Sequence, residues 1–142
     1  MARVDFYILA QADERARHVL ACKLAEKAWR LENTVYIHAQ NRGDAERLDE
    51  LLWTFRDGSF VPHGLAGRND GTENSPIMVG CSDSDLGERD LLINLCDDIP
   101  ACIDGFPRVA ELVTSDQTCR ETSRKRYAAY RDQGHELNTH KL

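Results

Sequence analysis

The first 40 residues carry the pattern that most restricts what this chain can fold into. Residues 4–10 (VDFYILA) form an apolar, β-branched and aromatic run of the kind that makes a strand buried on both faces. Asp13 follows as a helix cap. From residue 15 to 31 apolar positions (Val19, Leu20, Cys22, Leu24, Ala28, Leu31) and lysines (Lys23, Lys27) recur at helical spacing. Asn33 marks a stop, and residues 34–38 (TVYIH) read as a second strand. Strand, long helix, strand is a βαβ unit, whose crossover makes the two strands parallel.

The remainder extends the same alternation. Residues 44–54 predict a helix with Ala45, Leu48, Leu51 and Leu52 on one side and Arg47, Asp49 and Glu50 facing away. Asp57-Gly58 is a turn signal, residues 59–61 a short extended piece ended by Pro62, and residues 64–76 (GLAGRNDGTENSP) a long loop. Strands are expected at 77–80, 91–95 and 109–113, with an irregular crossover at 99–106. A last helix runs over 116–133, capped by Asp116 and stopped by Gly134. Roughly five or six strands alternate with three helices, which predicts an α/β domain: a doubly wound, mostly parallel sheet with helices on both faces. Residues 1–142 fit a single domain of this kind.

Composition narrows the class further. With 42% hydrophobic and 30% charged residues and a net charge of −6, the chain suits a globular domain rather than a disordered one. No apolar run approaches the roughly 18–20 residues of a membrane helix, and the N-terminus lacks a signal-peptide pattern, so a cytoplasmic location is expected. The five cysteines (Cys22, Cys81, Cys96, Cys102, Cys119) are odd in number and contain no CxxC pair. They are read as reduced, mostly buried thiols rather than as disulfides or zinc ligands.

The fold suggests a nucleotide site, but the residues do not supply one. The turn after the first strand is Gln11-Ala12-Asp13, with neither GxGxxG nor GxxxxGK[ST], and Asp13 would repel a phosphate at the helix N-terminus. No HExxH or GxSxG is present. The acidic run at 83–90 lacks the glycine and terminal glutamate of a calcium loop and reads as a solvated turn. No cofactor, metal or catalytic residue is assigned. The one enzyme reading left open is a small nucleotide- or substrate-binding protein using His63 and the 64–76 loop.

Two features exceed what a plain globular domain needs. Trp53, Phe55, Phe60 and Val61 cluster around one turn, either capping the core or forming an exposed aromatic patch for a partner. Residues 120–131 carry a net charge of +4 on an otherwise acidic chain. Arg120, Arg124, Tyr127 and Arg131 share one helix face by their spacing, a receptor for something anionic. A short acidic peptide suits this patch better than a long polyanion, which the surrounding acidic surface would repel.

Three segments carry a family resemblance: residues 47–53 (RLDELLW), 59–67 (SFVPHGLAG) and 126–131 (RYAAYR). With them the chain resembles the chi subunits of bacterial DNA polymerase III holoenzyme, from the opening Asp5-Phe6-Tyr7 to Leu137-Asn138-Thr139. The resemblance implies a non-catalytic accessory protein of the replicative clamp loader, working at the replisome. Its implied partners are the psi subunit and the acidic, Phe-terminated tail of single-stranded DNA-binding protein, without sequence-specific DNA contact. In some members an iron–sulfur helicase competes for the psi surface. Carried over by position, Trp53, Phe60, Val61 and Pro62 fall at the psi surface. Val113, Arg120, Arg124, Tyr127 and Arg131 fall at the tail site. Arg120 stands where the family commonly has Lys, and Ala128 where it has another Lys.

Overall fold

The computed structural model describes residues 2–55, 61–66, 75–81, 89–100 and 103–142. Within them are seven strands and three helices: β1 (Arg3–Ile8), α1 (Glu14–Arg30), β2 (Val35–His38), α2 (Arg42–Thr54), β3 (His63–Leu65), β4 (Ile77–Gly80), β5 (Leu91–Asn94), β6 (Arg108–Val113), α3 (Gln117–Asp132) and β7 (Glu136–Lys141). All seven strands join one parallel sheet in the order β3-β4-β2-β5-β6-β1-β7. The doubly wound α/β expectation holds. The strands of the first βαβ unit are parallel as expected but are not paired with each other, because β5 and β6 lie between β1 and β2.

Helix starts follow their caps. Asp13 accepts the amide of Ala16 at 3.2 Å and Asp116 that of Cys119 at 3.1 Å. Asn41 accepts the amide of Asp44 at 2.8 Å, which begins α2 two residues before the apolar pattern does. Gly134 takes the left-handed φ of 85° that ends α3 and turns the chain into β7.

The winding direction reverses after β3, and right-handed crossovers then put α1 and α2 on one face and α3 on the other. Alternation along the strands feeds two cores. Val35, Ile37, Leu48, Leu52 and Ile93 pack beneath α1 and α2. Val4, Phe6, Tyr36, Phe106 and Tyr130 pack on the α3 side.

Three expectations need correction. Residues 64 and 65 are not loop: with His63 they form β3, whose partner is β4. The segment after Gly134, where no strand was expected, adds β7 (Glu136–Lys141) to the sheet beside β1. Of the described cysteines only Cys22 is fully buried, its thiol pushed up to about 12 by desolvation; Cys81, Cys96 and Cys119 are half-buried.

Gly80 ends β4 directly against the Tyr36 hydroxyl, and a Cβ there would overlap both it and the Ala66 methyl. Tyr36 is fully buried and cannot yield. Gly80→Ala is therefore expected to lower stability by about 1–3 kcal/mol, read as a reduced urea midpoint at unchanged m-value.

Candidate functional site

A pocket of about 310 Å³ lies between α3 and the β6–β1–β7 side of the sheet. Strand register builds its floor. Val113, Ile8 and Lys141 stand side by side across three strands, and Phe6 pairs with Thr139 in the next row but one. Phe6 and Val113 are buried, so the floor is apolar along β1 and β6, while exposed Thr139 and Lys141 make its β7 side polar. The helix wall is Arg120, Ser123, Arg124 and Tyr127, one face of α3 by i, i+3, i+4 and i+7 spacing. The Tyr127 ring leans on Phe6 at 5.3 Å and 58° and stays 36% exposed, apolar below and wet above.

The pocket is cationic. Arg120 and Arg124 on α3 and Lys141 on β7 line it, with no carboxylate among its lining residues. None of the three pairs with an acid among the described residues. Together these groups can take an apolar or aromatic side chain with anionic groups at its mouth, each desolvated charge–charge hydrogen bond being stronger than a neutral one.

What holds α3 in place is a buried polar network. Glu111 on β6 is fully buried and accepts from Arg126 Nε at 3.1 Å, Asn94 Nδ2 at 2.8 Å and the Tyr130 hydroxyl at 2.7 Å. Arg126 also donates to the Asp97 carbonyl at 3.0 Å. Burial pushes the Glu111 carboxyl above its ordinary value against the opposing pull of Arg126 and the two neutral donors. Arg126 thus turns inward, and the exposed cationic face of α3 is smaller than the charge count suggests.

The tail residues named from sequence divide accordingly. Val113, Arg120, Arg124 and Tyr127 converge on the pocket, whereas Arg131 is not among its lining residues and sits 3.7 Å from Asp132 at the surface. Phe6, Ile8, Ser123, Thr139 and Lys141 complete the lining and were not anticipated. The period-two pattern Leu137, Thr139, Lys141 is the signal that could have found the last two.

The aromatic cluster separates too. Trp53 on α2 is 51% exposed and meets His63 edge-on at 4.7 Å. Phe55 packs against the core instead. Val61 is fully buried and Pro62 half-buried, so the Val61 side chain is core rather than surface. Phe60 lies outside the described residues, as do 67–74 and 82–88, which contain most of the long loop and of the acidic run.

His63, the candidate base, is enclosed. Its ring nitrogens face the Val61 carbonyl at 2.7 Å and the Asp49 carbonyl at 2.9 Å, and its side chain has no exposed surface. It is a tie between α2 and β3, not a group presented to a ligand. At the other position a nucleotide would occupy, the Asp13 carboxylate caps the N-terminus of α1. Among the described residues no cluster of His, Cys, Asp or Glu has the form of a metal site, and no helix is long and apolar enough to cross a membrane.

Comparison with known proteins bears on the whole chain. The sequence model of the family described as DNA polymerase III chi subunit, HolC, matches residues 1–138. The DNA polymerase III subunit chi of Pseudomonas aeruginosa is 42% identical over 142 residues, covering 100% of this chain and 98% of that protein. The Haemophilus influenzae subunit chi is 34% identical over 137 residues, 95% of this chain and 94% of its own. That of Escherichia coli is 34% identical over 121 residues, 84% and 82% respectively.

Proposed function

The chain belongs to the DNA polymerase III chi subunit family, and from that membership we propose that it is a non-catalytic bridging subunit of the clamp loader. One surface receives the acidic C-terminal tail of single-stranded DNA-binding protein, and another docks a psi subunit. The observation that carries the first half is the convergence of Val113, Arg120, Arg124 and Tyr127 on one apolar-floored, cation-lined pocket. A terminal Phe buries its ring against Phe6, Val113 and Tyr127, a transfer worth about 1.5–3 kcal/mol. Its carboxylate and the neighbouring acids pair with the arginines. Many tails on one coated strand multiply the local concentration of the polymerase without any tighter single contact.

The psi half rests on Trp53, a large exposed aromatic that meets His63, the residue following half-buried Pro62. Catalysis belongs to the holoenzyme partners in this reading, with the subunit acting at the replisome in the cytoplasm.

The test is fluorescence anisotropy of a labelled acidic peptide ending in Phe, alongside co-purification with the psi subunit. Micromolar peptide binding that weakens with salt is expected. Trp53→Ala should abolish psi capture and leave the peptide titration unchanged. Loss of both activities in that one variant would sink the two-surface reading, and no peptide binding at low salt would remove the tail.

A further inference from the structure

The family resemblance assigns the pocket to α3 and β6, yet β7 supplies a wall of it. We propose that Lys141 forms a second carboxylate subsite, separate from the arginines of α3, and that the pair His140–Asp5 on the opposite face of the sheet positions it. This rests on the acidic-tail reading above and names what the pocket demands: two carboxylates flanking one apolar side chain.

The geometry comes from alternation. Consecutive strand residues point to opposite faces, so Thr139 and Lys141 enter the pocket while Asn138 and His140 face the other side. There His140 Nε2 lies 3.0 Å from Asp5 Oδ1, and its ring stacks on Tyr7 at 4.9 Å and 20°. Asp5 is 2% exposed, with Arg3 at 3.4 Å and Arg108 at 3.5 Å as its other charged neighbours. Burial alone would raise its carboxyl, but His140, Arg3 and Arg108 outweigh it and hold the group below its ordinary value.

A strap of this kind matters because β7 is an edge strand. Among the described residues its only sheet partner is β1, and its last ladder contact is the Leu142 amide on the Ile8 carbonyl at 2.9 Å. An edge strand frays more cheaply than a central one. Fraying here would carry Lys141 away from Ile8 and open the pocket on one side. The Asp5–His140 pair sits one residue before Lys141 and resists that motion. Across the pocket, Arg120 and Arg124 stand on a separate element, so one ligand carboxylate can meet β7 and another α3.

The probe is a synthetic acidic peptide ending in Phe, with matched versions in which the terminal carboxylate is amidated or single Asp residues are replaced by Asn. Lys141→Ala should weaken the parent peptide roughly 3–10-fold. It should also blunt the cost of neutralising one carboxylate while leaving the others costly, the non-additivity that marks a direct pair. His140→Ala should weaken binding by a similar factor and make Lys141→Ala nearly silent. His140→Gln, whose amide can still donate to Asp5, should restore affinity. Urea midpoints of every variant separate these effects from unfolding. Unchanged affinity in Lys141→Ala, or equal losses for all peptides, overturns the subsite; a His140→Gln variant that is folded but behaves like Ala overturns the positioning. Absence of binding to the wild type would overturn the tail reading itself, and the subsite with it.

Discussion

Arg126→Met should lose about 3–5 kcal/mol of stability, a large share of the total for a domain of this size, because it leaves Glu111 as a buried carboxylate without its counter-charge. Asn94 and Tyr130 remain as donors, but neutral hydrogen bonds do not offset the desolvation of an ion. The double variant Glu111→Gln/Arg126→Met removes both charges and should recover much of the loss. The pH dependence has a definite sign. A carboxyl whose folded pKa is raised binds its proton in the native state while the unfolded chain has released it, so stability falls as pH rises from the ordinary value of 4.5 through the folded one. Without Arg126 that pKa rises further, so the penalty of the single variant should grow as pH rises from 4 to 8. Urea titrations at the two pH values decide it. A loss under about 1 kcal/mol at pH 8 would mean that the pair is not what seats α3.

The second large effect concerns binding. Arg124→Ala should weaken the acidic Phe-terminated peptide by about 1.5–3 kcal/mol, roughly 10–150-fold, the range for a hydrogen bond to a charged group. Arg124 lines the pocket between Arg120 and Tyr127 and has no acid of its own to lose among the described residues, so its stability effect should stay within about ±0.5 kcal/mol. Arg131→Ala is the matched control: outside the pocket lining and near Asp132, it should change affinity less than about twofold. Anisotropy titrations at two salt concentrations read both variants. Equal losses at the two positions would indicate a diffuse electrostatic surface in place of a pocket.

The elements legible in the sequence are the ones buried on both faces. β1, β2, β4, β5 and β6 read as apolar runs because helices or loops cover the sheet on both sides. The two strands missed, β3 and β7, are the two edges of the sheet among the described residues. β3 is three residues long and contains Gly64, so its composition resembles the Gly- and Asn-rich sequence that follows. β7 (ELNTHK) is polar because an edge strand is half solvated, and charged side chains guard it against pairing with other chains. Missing β7 hid two of the nine lining residues, since Thr139 and Lys141 enter the pocket only as strand residues. The inward turn of Arg126 was hidden differently: composition counts it as surface charge, and only the buried Glu111 on β6 reveals its role. Trp53 and Phe55 are two positions apart at the end of one helix, and the phase of α2 sends the first outward and the second against the core.

By itself the sequence determined the local terms: the caps at Asp13 and Asp116, the helix face carrying Arg120, Arg124 and Tyr127, the parallel α/β class, and the family. These depend on periodicities of two and 3.6 residues and on motifs a few residues long, all of which act between near neighbours in the chain. The tertiary structure decided which strands are adjacent. It inserted β5 and β6 between β1 and β2, and it laid β7 beside β1 so that residues some 20 positions apart face one another across a single pocket. Adjacency of that kind is set by burial and crossover handedness over the whole sheet, and no local pattern records it.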